Sequence, residues 1–138
     1  MRVPSQEDTH EMTITWKTVC EILSELPGAA PDPPGGREVV RVKDKVIAYP
    51  AANERSRPEG YAADEDFVVV KVDLTDREAL VHQAPQTFFV TPHYRNYPGV
   101  IVRLSTVEPE HLRELLIDAW RSVAPKKVVR EWEEKVSV

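Results

Sequence analysis

The sequence holds a single cysteine, Cys20, which excludes an intramolecular disulfide and any multi-cysteine metal cage and suits a reducing compartment. It has no apolar run near the ~20 residues that a bilayer span requires. Its first residues, MRVPSQEDTHEM, carry acids where a signal peptide would carry bases and then an apolar stretch. The expectation is a cytoplasmic protein with no membrane partner. An excess of positive charge is missing too. Lys and Arg number 18 against 23 Asp and Glu, a net charge of −5, and removing the first twelve residues, with one base and three acids, leaves −3. Whole-molecule attraction to phosphate is therefore absent, and any nucleic-acid contact has to come from a local basic face.

Catalytic motifs are equally scarce. The four histidines, His10, His82, His93 and His111, show no two-histidine metal spacing and have no partner cysteine or acid fixed nearby. Pro34-Gly35-Gly36 lacks the lysine and helix that a phosphate-binding loop needs. Cys20 falls in an apolar stripe, where a thiol packs as a small hydrophobe. No catalytic residue, metal or cofactor is expected, and the chain is read as a non-enzyme.

What is present suits one folded domain. Of 138 residues, 41% are hydrophobic and 30% charged, enough for one core but not two. Residues 1–12 read as a polar tail and 13–138 as a single domain. Trp16, Val19, Cys20, Leu23 and Leu26 recur at helical spacing after a capping Thr15, and Pro27-Gly28 ends the run. The Pro/Gly-rich residues 29–37 read as a connector. Two β-branched runs about Lys43-Asp44-Lys45 predict a hairpin between Glu38 and Tyr49. Pro50–Glu65 reads as an exposed, mobile loop. Phe67–Val72 is a third strand, followed by a short helix that Thr75 and Glu78 can open as a capping box. Phe88–Thr91 and Val100–Leu104 are further strands around the loop Pro92–Gly99. Pro109 opens a helix with Leu112, Leu115, Leu116, Ala119, Trp120 and Val123 on one stripe, and Pro125 separates it from a last helix ending near Lys135.

The order is helix, three strands, helix, two strands, two helices. Short connections force antiparallel neighbours, so the fold class is α+β: a two-layer arrangement of a five-stranded antiparallel sheet with helices on one face. If Val40, Val42, Val68, Val70, Val72, Val100, Val102 and Leu104 face the helices, then Arg41, Lys43, Lys71 and Arg103 face away. The same phasing adds Lys45, Ile47, Tyr49, Phe67, Val69 and Ile101 to that outer face. Such a face suits a phosphate backbone with bases stacked on Tyr49 or Phe67. It suits a protein interface or homodimer equally, which the acidic balance favours. A third reading has the last helix fold over it with Trp132 as the plug. Pro92-His93-Tyr94-Arg95-Asn96-Tyr97-Pro98 is either a binding loop or a turn shaped by its prolines, with tyrosines covering the sheet edge. Lys126, Lys127 and Arg130 are followed by Glu131, Glu133 and Glu134, so their field largely cancels.

Leu26-Pro27-Gly28, Val42-Lys43-Asp44-Lys45, Phe89-Val90-Thr91-Pro92-His93-Tyr94, and Ala119-Trp120 followed by Ala124-Pro125-Lys126-Lys127 appear in an order and spacing that resembles the MmcQ/YjbR family, over about Thr13 to Trp132. The resemblance implies a CyaY-like or secretion-chaperone-like two-layer fold and DNA binding through two hairpins, a "double wing". In that reading Arg37, Arg41, Lys43 and Lys45 contact phosphates from the first wing and His93, Tyr94 and Arg95 from the second. Lys71 and Arg103 add charge from the sheet. The candidate partners are DNA, another protein or a second copy of the chain.

Overall fold

The computed structural model describes residues 14–32, 39–51, 57–62 and 64–136, so the polar tail lies outside the described residues. Helix α1, Trp16–Ser24, starts where expected, with the Thr15 backbone N–H donating to Thr18 Oγ1 at 3.1 Å. Gly28, at φ 82°, turns the chain out of the helix in a conformation that glycine adopts without strain.

The chain then enters a strand where the sequence suggests only a connector. Strand β1, Ala29–Asp32, pairs antiparallel with β2, Val39–Val42, and makes the sheet six-stranded rather than five-stranded. Pro31 is tolerated because β1 is an edge, where a missing N–H removes no interior ladder bond. Strand β3, Lys45–Pro50, completes the expected hairpin. Beyond it come β4 (Phe67–Lys71), α2 (Leu74–Gln83), β5 (Phe88–Phe89), a 3-10 turn (Pro92–Tyr94), β6 (Gly99–Arg103), α3 (Pro109–Arg121) and α4 (Lys126–Val136). The sheet order is β1-β2-β3-β4-β6-β5, antiparallel throughout.

Two local expectations are corrected. Helix α2 opens at Asp73, whose carboxylate accepts from the Asp76 N–H at 2.8 Å. A charged acceptor two residues upstream takes the capping role from Thr75. Strand β5 ends at Phe89 instead of Thr91, because Pro92 starts the 3-10 turn.

The four described helices feed one core against one face of the sheet. Val19 and Leu23 from α1, Leu112, Leu116 and Trp120 from α3, and Val40, Val68, Val70, Val100 and Val102 from the strands are buried together. Leu80 and Val81 of α2 and Val128, Val129 and Trp132 of α4 pack on it. Trp120 is 0% exposed and its Nε1 donates to the Pro27 carbonyl at 2.8 Å, which ties α3 to the turn after α1. Trp132 lies edge-on to Trp120 at 5.1 Å. The last helix is therefore on the helical side and plugs nothing on the opposite face.

Candidate nucleic-acid interface

The opposite face is not open. Phe67, Val69 and Ile101 lie there as phased, but Ala51 and Tyr94 are buried with them, and Tyr49, Tyr61, Phe89 and Tyr97 pack around the cluster. Two loops supply this cover. The described part of the connector after β3 folds onto the sheet: Arg57 lies over the Phe67 ring at 5.0 Å and donates to the Glu65 and Ala62 carbonyls at 2.8 Å each. Tyr61 meets Phe67 and Phe89 edge-on at 5.3 and 5.5 Å. From the other side Tyr94 and Tyr97 lie over the sheet, and Tyr49 Oη donates to Tyr94 Oη at 2.8 Å. Burial, then that bond, push the Tyr49 phenol far above its ordinary range. Base stacking on Tyr49 or Phe67 is therefore blocked.

A bulge corrects the phasing of the first hairpin. Val40 pairs with Ala48 but Arg41 with Val46, so Ile47 is skipped and turns into the helix-side core instead of the outer face. Beyond the bulge, Lys45 pairs with Val42 and so leaves the outer face as well. The extra residue shifts the two-residue alternation by one.

Several of the candidate bases are already committed. Arg41 Nε donates to Asp32 Oδ2 at 2.7 Å, across the β1–β2 pair that the sequence reading lacked. Arg103 stacks on Tyr61 at 4.7 Å and places Nε 3.2 Å from Glu65 Oε2 and Nη2 3.2 Å from Oε1. Nε is misaligned for a hydrogen bond, so the pair is a charge contact with one good bond. Glu65 also accepts from the Ser105 hydroxyl. Its bond to Arg103 first, and that to Ser105 next, hold its carboxyl below the usual range. Tyr94 is only 8% exposed. Arg37 lies outside the described residues.

The remaining bases gather at one end of the sheet. Pairing of Ala48 with Val70 and of Lys71 with Gly99 sets the β2–β3 turn, the end of β4 and the start of β6 side by side. Strand β5 runs antiparallel to β6, so the loop after it leaves at the same end. Lys43, Lys45 and Arg95 are exposed, Lys71 half-buried, and none of the four makes an ion pair among the described residues. His93 is exposed beside them, its ring edge-on to Tyr94 at 5.0 Å. Lys43 holds φ 57°, the left-handed conformation that a two-residue hairpin turn demands. Asp44 and Asp73 lie at this end too, so the local charge is a modest excess of bases. On the helical side the sign reverses: a cleft of about 630 Å³ between α2 and α3 is lined by Asp73, Asp76, Glu114 and Asp118, with Lys71 at its margin. Repulsion from Asp73 raises the Asp76 carboxyl.

Arg77 organises the loop at this end of the sheet, and nothing in the sequence analysis singled it out. It is 9% exposed in α2, and Nη1 donates to the carbonyls of Tyr94, Tyr97 and Gly99 at 2.9, 2.8 and 3.2 Å while Nη2 donates to that of Arg95 at 2.7 Å. The signal lay in its spacing, since Arg77, Leu80, Val81 and Ala84 fall on one helical stripe, and a base on an apolar stripe needs an internal partner. Among the described residues no group of three His, Cys, Asp or Glu side chains is placed to hold a metal ion, and no helix is long and apolar enough to cross a membrane.

Comparison with known proteins agrees with this architecture. The YjbR family model matches residues 24–122. An uncharacterized protein of Mycobacterium tuberculosis and one of Mycobacterium bovis are each 36% identical over 123 residues, covering 84% of this chain and 93% of their own. The crystal structure of a Deinococcus radiodurans protein with a DUF419 domain superposes with a TM-score of 0.60 at 23% identity, over 84% of this chain and 83% of that one.

Proposed function

We propose that this chain, which belongs to the YjbR family, binds DNA through the end of its sheet where the two turns meet, and that it acts as a cytoplasmic binding protein without catalysis. The observation that carries this reading is the division of its bases. Arg41, Arg57, Arg77 and Arg103 are engaged within the molecule, whereas Lys43, Lys45, Lys71 and Arg95 gather at one end with no ion pair among the described residues. Long bases not tied up in ion pairs are what a phosphate backbone requires, and contacts of this kind position a duplex without reading its sequence. Covered aromatics leave no stacking platform, which favours backbone contact over recognition of splayed bases.

The reading is tested by fluorescence anisotropy on a labelled duplex across a salt series. Four phosphate contacts give a log–log slope of about −3.6 against salt concentration. Charge reversal by Lys43→Glu with Lys45→Glu weakens binding roughly tenfold or more, since each lost contact is replaced by a repulsion. Absence of any binding at low ionic strength sinks the proposal, as does binding indifferent to salt. Association through the outer face, by contrast, would first have to displace two packed loops. A monomer in sedimentation at working concentration removes the case for it.

A further inference from the structure

We propose that Arg77 is the positioning residue of the second wing: by gathering four carbonyls around one guanidinium it turns the opposite, amide edge of the loop outward, so that the Asn96 N–H and the Arg95 side chain form a corner for a phosphate oxygen. This rests on the nucleic-acid reading and assigns that site its organiser.

Arg77 has no carboxylate partner among the described residues, and its charge is balanced by carbonyl dipoles alone. A trans peptide sets its C=O and N–H in opposite directions. The Arg95 carbonyl points inward to Nη2 at 2.7 Å, so the N–H of the next residue, Asn96, points away from the core. No described group accepts that N–H, although the neighbouring Arg95 N–H is bonded to the Pro92 carbonyl at 3.2 Å. One outward amide beside an exposed guanidinium, with a buried cation behind the loop, offers an anion a hydrogen bond and a charge-assisted contact together. The segment that carries the corner adds no acid of its own: Ala79 to Val107 contains none, in a chain with 23. Arg95 and Asn96 are both exposed.

A residue that merely stabilises the fold would not leave a signature in binding once the protein is folded. The test therefore uses Arg77→Lys, which keeps the charge but offers fewer donors without the planar fork, together with Arg95→Ala and the double variant. Each is checked for its fold by circular dichroism and titrated with duplex DNA by amide-detected NMR. The Asn96 amide of the wild type is expected to shift on titration. Arg77→Lys is expected to bind roughly five- to tenfold more weakly with a salt slope smaller by about one, as for one lost phosphate contact. The double variant should bind no more weakly than Arg95→Ala, because both act through one contact. A folded Arg77→Lys that binds like the wild type overturns the inference while leaving the nucleic-acid reading intact, as do losses that simply multiply in the double variant. If Arg77→Lys does not fold, the Asn96 amide of the wild type decides: a stationary signal under saturating duplex overturns the corner. A wild type that binds no nucleic acid overturns both.

Discussion

The two faces of the sheet are held by different physics. On the helical face apolar side chains from the described helices and from the strands form one layer, tied by the Trp120 indole to the Pro27 carbonyl. On the other face a smaller set of aromatic rings is laid down by two loops and fastened by guanidinium groups: Arg57 on Phe67, Arg103 on Tyr61, Arg77 beneath the Tyr94 turn. The first arrangement stabilises through area removed from water, the second through a few directional contacts that must all be aligned. A molecule built this way can lose the second layer while keeping the first, which is useful where the loop layer carries the ligand-facing side chains.

Two substitutions break the comparison in opposite places. Trp120→Ala empties the centre of the helical face and strands the Pro27 carbonyl, at a cost of about 3–5 kcal/mol. The whole molecule should respond, with a single unfolding transition at much lower denaturant. A loss confined to one side would contradict a shared core. Gly99→Ala acts on the loop face, since a Cβ there would lie 2.8 Å from Tyr97 Cε2 and 3.3 Å from Val69 Cγ1. The tyrosine can yield only by giving up its place over the sheet, for roughly 1–3 kcal/mol. Hydrogen exchange should quicken in the Thr91–Pro98 loop far more than in α3. Equal changes in both would mean that the two layers unfold as one.

The contrast also explains what could be read from the chain. Helix α3 was legible residue by residue because its burial stripe repeats every turn, and the hairpin because β-branched runs flank a tight turn. Strand β1 was not, because Ala29-Ala30-Pro31-Asp32 has no strand pattern of its own and owes its conformation to pairing with β2. Ile47 was misplaced because a bulge is a property of two strands together. Of the candidate site, Lys43, Lys45 and Arg95 are exposed with no ion pair among the described residues, whereas Arg41 and Arg103 are paired. Their partners Asp32 and Glu65 are 9 and 38 residues away in sequence, so only the tertiary fold could reveal that these charges are spent.

Acid sharpens the comparison with the smallest effect. The Glu65 carboxyl titrates below its unfolded range because Arg103 and Ser105 bond its charged form. A group with a depressed folded-state value contributes stability that is fully present above the unfolded value and is lost as pH falls through the folded one. Lowering the pH through and below the carboxylate range should therefore release Arg103 and Tyr61 from the loop face, while the helical face, with no buried carboxylate in its core among the described residues, holds. The measurement is amide exchange or Tyr61 ring shifts followed against pH, with Trp120 as the internal control. Glu65→Gln should reproduce the acid form at neutral pH and abolish the transition near Tyr61. If that transition persists in Glu65→Gln, or if Trp120 moves in step with Tyr61, the carboxylate is not the fastening and the two faces are not separable.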